Sequence, residues 1–172
     1  MTLEGILYFY QYNTWATERL LEALEQLTPE QYIAPGCSGN GSIRDTLAHL
    51  FAVQYSWFSW YDDTMKVEEA IRYAIPGEEI STIALARERW MWVKEKTNSF
   101  LSSLTEEKIT GIRTWSFPNM DGGAVLWKLL LHTANHGTHM RAQIVAAIRR
   151  FGYNPGALDL LQLVLKEAMP QN

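Results

Sequence analysis

The stretch Gly123–Phe151, GAVLWKLLLHTANHGTHMRAQIVAAIRRF, decides how the rest of the chain is read. It holds no proline, and it closes on Arg149 and Arg150 ahead of Gly152. Two cations suit the negative end of a helix, and a glycine suits the residue after it. One helix is therefore expected from about Gly123 to Phe151. Three of the four histidines, His132, His136 and His139, stand on it. At about 100° per residue they fall within roughly 60° of arc, so they share a face.

Working outward, three more long helical patterns appear. Thr2–Leu27 carries Leu3, Ile6, Leu7 and Tyr10 as one stripe, continued by Leu20, Leu21, Leu24 and Leu27. Pro29 suits the first turn of a short following helix or a stop to this one. Pro35–Gly41 is a loop by composition, and Ser42 then reads as a cap for a helix over Ile43–Tyr61, with Asp45 in its first turn. Ser81–Leu104 fits a third long helix, with Trp90, Val93 and Phe100 on its apolar side. Met65–Pro76 is ambiguous, with room for a short helix. Ile109–Asn119 reads as extended, Asp121-Gly122-Gly123 as a turn, and Asn154–Ala168 as a last helix with Pro155 in its first turn. Four long amphipathic helices with modest connections predict an all-α four-helix bundle with short additional helices, in one domain over residues 1–172.

Composition narrows the function. A net charge of −4 gives no global basic field for nucleic acid or anionic lipid. No apolar run approaches a membrane span. Met1–Trp15 shows no basic leader with an apolar stretch and cleavage site, so a cytoplasmic protein is expected. Cys37 is the single cysteine, which excludes an intrachain disulfide. There is no GxGxxG and no phosphate loop of the Gly-Lys-Ser/Thr kind. Gly39–Ser42 precedes a helix and reads first as a helix-entry loop, with anion binding the minor alternative. Trp57, Trp60, Tyr61, Trp90 and Trp92 read as core and helix packing rather than a base-stacking platform.

The histidines carry the sharpest chemistry. Spacings of four and three residues let imidazoles on successive turns reach one ion, and His49, mid-helix at Ile43–Tyr61, is the remaining histidine that could join them. Three imidazoles suit Zn, Ni, Fe or Cu better than Mg or Ca, and leave open positions for water or substrate. The same spacing also arises in a polar seam without metal, and both readings stay open on spacing alone. Arg141 beside the cluster is a candidate anchor for an anionic group of a substrate.

Three motifs in order then resemble the DinB-like (YfiT/DinB) superfamily. They are Tyr12-Asn13-Thr14-Trp15-Ala16 with Leu20-Leu21, then Ser42-Ile43 leading to Leu47-Ala48-His49-Leu50, and His132 to Ile144 against a signature of Asn-His, two residues, His-His-Arg-Gly-Gln. The resemblance covers most of the chain, with residues 62–120 the least diagnostic. It implies a dimeric four-helix bundle with a three-histidine divalent-metal site, Zn or Ni, and activity as a thiol transferase, or a related hydrolase or isomerase, with a low-molecular-weight thiol. By position, His49 matches the first ligand and His136 the second. The third falls on Met140, whose thioether is a poor ligand for Zn or Ni, and Ala142 replaces the usual Gly. His139, one residue earlier, is the expected substitute, giving a ligand set of His49, His136 and His139. The alternatives are a non-catalytic dimeric bundle with a degenerate site and a small-molecule-binding module.

Overall fold

The structure, a computed structural model, describes residues 1–117 and 120–169. Four long helices dominate: α1 (Leu3–Leu24), α3 (Ile43–Tyr61), α5 (Ile83–Ser102) and α7 (Leu126–Arg150). Between and after them lie α2 (Pro29–Ile33), α4 (Val67–Ala70), α6 (Glu106–Thr110), the antiparallel strands β1 (Ile112–Phe117) and β2 (Met120–Val125), and α8 (Leu160–Ala168). The expected all-α bundle is the fold observed. Among the described residues, no helix is long and apolar enough to cross a membrane.

Helix starts follow from local chemistry. Ser42 Oγ accepts the Asp45 amide at 3.0 Å and donates to Asp45 Oδ2 at 2.7 Å, so the cap and the first-turn carboxylate act together. Thr28 and Gln31 form a reciprocal capping box around Pro29, which settles that proline as the start of α2. Thr2, Thr82 and Thr105 cap α1, α5 and α6 with a single side-chain oxygen that accepts a first-turn amide.

Cross-helix pairs fix the topology. On α1 and α7, Tyr10 meets Leu130 and Asn13 meets Arg141, so the two run parallel. On α3 and α5, Phe51 stacks on Trp90, Gln54 meets Thr97, and Phe58 meets Phe100, also parallel. His49 opposite His136 and Tyr61 opposite Leu129 make α3 antiparallel to α7. The chain thus runs up, down, down, up. Residues 62–82, including α4, return along α3 to let α5 start at the opposite end.

The core comes in two halves. Leu20, Leu24, Ile43, Leu47, Phe51, Trp90, Ile144 and Ile148 fill one end, and Ile6, Tyr10, Phe58, Tyr61, Phe100, Leu126 and Leu130 the other. Between them lies a buried polar layer. Arg141 Nη1 donates to Asn13 Oδ1 at 2.6 Å, Asn13 Nδ2 to Gln54 Oε1 at 2.9 Å, and Gln54 Nε2 to Thr97 Oγ1 at 2.9 Å. One hydrogen-bonded chain therefore joins α7, α1, α3 and α5. Hydrophobic halves alone tolerate sliding, whereas a polar layer is satisfied in one register, so this chain locks the alignment of all four helices.

Three local expectations need correction, the first being that Ile109 and Thr110, read as extended, close α6 before β1 begins at Ile112. Asp121-Gly122-Gly123 is not a turn but lies within β2, with Gly122 opposite Trp115. A Cβ at Gly122 would stand 2.7 Å from the Trp115 ring, so the glycine serves close approach rather than chain reversal. The final residues of the expected extended stretch, Pro118 and Asn119, lie outside the described residues. The last helix begins at Leu160 rather than Asn154. Asn154 Oδ1 accepts the Gly156 amide, Gly156 has φ +73°, and Gln26, just past α1, and Tyr12 of α1 donate to the carbonyls of Asn154 and Leu158. Those carbonyls serve α1 instead of a helix ladder.

Candidate metal centre

His49 lies in the middle of α3 and His136 in the middle of α7, where the two antiparallel helices pack together. Their Nε2 atoms approach to 3.2 Å, with the rings nearly perpendicular at 70°. His49 is exposed and His136 half-buried, and partial desolvation lowers the pKa of each. For His136 the value falls to about 4, through burial first and then through repulsion by His49, His132 and His139. Both rings are thus neutral near pH 7, the form that ligates metal.

The distance can be compared with ligand geometry. Two nitrogens each about 2.05 Å from a tetrahedral ion stand about 3.3 Å apart. The His49–His136 pair fits one edge of such a polyhedron.

The other expected residues make no such contact with the pair. His139 is exposed on α7, and His132, also exposed, packs its ring edge-to-face on Trp57 at 5.5 Å. Met140 is buried in the core half that holds Leu47, Trp90 and Ile144, its thioether 3.8 Å from Asn40 Nδ2. Among the described residues, no group of three His, Cys, Asp or Glu side chains converges as a metal cluster would. Arg141 is committed to α1, donating to Asn13 and Thr17, and to Thr138 on its own helix. Cys37 donates to the Ala34 carbonyl in the loop before α3.

Asn13 and Asn40 were not singled out as site residues from the sequence. Asn13 sat inside the motif Tyr12–Ala16 without a role, and its partner 128 residues away gives it one. Asn40 sat in a loop read as a helix entry, and it closes over Met140 because its own amide donates to Thr46 Oγ1 on α3.

Residues 2–169 match the model of the DinB family. The chain belongs to the DinB family. Among curated relatives, Protein DinB of Bacillus subtilis (strain 168) is 25% identical over 158 residues, spanning 87% of this chain and 88% of that protein. Within this DinB-family bundle, the facing pair His49 and His136 comes from two of the three motifs that carry the resemblance, one on each of two packed helices.

The depressed histidine pKa values have a measurable consequence in metal-free protein. Between about pH 6.5 and 4 the unfolded chain protonates His136 while the folded chain does not, and His49, also lowered by desolvation, adds to the effect in the same direction. Stability from these groups is therefore whole above pH 6.5 and falls as pH drops toward 4. Urea unfolding across this range is expected to show the decline in wild type. His136→Gln, which cannot titrate, is expected to flatten it.

Proposed function

We propose that this DinB-family protein is a metal-dependent thiol transferase that holds a divalent ion, zinc or nickel, with His49 and His136. The observation that carries the reading is the 3.2 Å approach of two Nε2 atoms on rings whose pKa values partial desolvation lowers. His139 and Met140 both lie within one turn of His136 on α7, and of the two His139 would be the donor for a borderline ion. A divalent ion held there would supply the Lewis acidity needed to lower the pKa of an incoming low-molecular-weight thiol. The chain's own residues orient the two imidazoles from opposite helices and bar protonation near neutral pH. The reading includes a cytoplasmic homodimer, in line with the strip Leu161, Val164 and Leu165 that α8 leaves exposed. Sedimentation equilibrium checks that part.

The deciding measurement is titration of chelator-treated protein with zinc and with nickel, followed by calorimetry. One ion per chain is expected, with the uptake lost in His136→Ala. Protein that takes up no stoichiometric ion, or that binds equally without His136, rules the reading out.

A second reading has its own support. Met140 is 9% exposed and tucked under Asn40, where a third imidazole is expected from the family pattern. A non-catalytic bundle with a vestigial site accounts for that packing, and a null titration selects it.

A further inference from the structure

The opposite face of α7 from the His pair carries a cavity of about 600 Å³. It lies between α1, α7 and the irregular segment 152–159. Tyr12 and Arg141 line it together with Thr138, Val145 and Leu158, and Arg149, Asn154 and Asp159 complete it. Its size is that of a small-molecule site, with an apolar strip of Ala142, Val145 and Leu158 set among polar groups that could orient a ligand.

Arg141 is the unusual component. It is 2% exposed, yet among the described residues no carboxylate stands within 4.0 Å of its guanidinium. Its protein partners are neutral: Asn13, Thr17 and Thr138 accept three of its five N–H groups, and the Tyr12 ring lies 5.5 Å away. A buried charge without an opposite charge is costly, and its neutral acceptors offset only part of that cost. Arg149, on the same helix two turns on, adds a second guanidinium, and exposed Asp159 is not within ion-pair reach of either one. The cavity therefore keeps a net positive charge with its most desolvated cation at a surface that a ligand can reach.

We propose that this cavity binds a small organic anion, a carboxylate carrying an apolar chain of a few carbons. The carboxylate pairs with Arg141, which suits a planar two-oxygen acceptor. The chain lies along Val145, Ala142 and Leu158, and Arg149 adds attraction at the mouth. The site shares no residue with the His49–His136 pair and stands or falls independently of the metal reading.

Octanoate and octan-1-ol are the probes, since they share a chain and differ in charge. Calorimetry on the full chain is expected to show octanoate binding at least about tenfold tighter than octan-1-ol, the order of a charged hydrogen bond. Arg141 belongs to the polar layer of the core, so its own replacement also perturbs folding. Ala157→Trp, at an exposed lining position, fills the cavity and leaves Arg141 in place; it is expected to abolish octanoate binding without lowering the melting temperature of ligand-free protein. Arg149→Gln is expected to weaken octanoate and leave octan-1-ol unchanged, and His136→Ala to alter neither. Absence of octanoate binding, equal affinity for acid and alcohol, or undiminished binding in Ala157→Trp would overturn the proposal.

Discussion

Met140→His is expected to tighten zinc binding by on the order of 100-fold. Four-ligand zinc sites bind with roughly 10–16 kcal/mol, so one ligand is worth about 2.5–4 kcal/mol. Position 140 is four residues beyond His136, one turn along the same face of α7. Met140 itself is buried beside Asn40, at the first turn of the same α3 that carries His49. An imidazole there replaces a soft thioether by a borderline nitrogen donor, the better match for zinc or nickel. The cost is a small loss of apolar packing in the core half that includes Leu47 and Ile144. Competition titration against a chromophoric chelator measures the change. An affinity equal to wild type would show that the residue at 140 does not reach the ion held by His49 and His136. His139→Ala in the same assay separates the two candidate third donors. It weakens zinc binding if His139 supplies the third nitrogen in the wild-type chain.

Gly137→Ala is expected to destabilise the fold by about 3 kcal/mol, although alanine is the better helix former by about 1 kcal/mol. Gly137 faces the polar layer, and a Cβ there would lie 2.6 Å from Asn13 Oδ1 and 3.1 Å from Arg141 Nη1. Both atoms belong to the 2.6 Å bond that begins the chain to Gln54 and Thr97. Neither end gives way freely, because Asn13 is 1% and Arg141 2% exposed. The methyl therefore either breaks the Arg141–Asn13 bond, leaving a buried guanidinium short of an acceptor, or pushes α1 away from α7. Chemical denaturation with an unchanged slope and a lower midpoint is the expected result. An unchanged midpoint would mean that the layer adjusts as a unit and does not lock the helices. Gly152 offers a contrast, since its φ of +86° serves the end of α7 and no atom lies near its missing Cβ. Its replacement by alanine strains the backbone without touching the polar layer.

Much of this protein is determined in one dimension. Helical stripes at 3.6-residue spacing and the Ser42 and Thr28 caps are local signals, because a helix closes its hydrogen bonds within a few residues. Those signals marked α3 to the residue and the other long helices to within a few, and the order of motifs along the chain pointed to the family. The failures came where a partner far along the chain outbids local preference. Pro155 looked like a helix start, but Tyr12 and Gln26 claim the neighbouring carbonyls. Gly122 looked like a turn, but the Trp115 ring across the strand pair needs its bare Cα. The histidines were legible as a set on one face of α7; that face alone does not say which ring meets His49. Packing of α3 antiparallel to α7 chose His136, left His139 and His132 at the surface, and turned Arg141 toward α1. Helical periodicity fixes direction around an axis, whereas the pairing of two side chains also needs the relative position of two axes, which only the packed core sets.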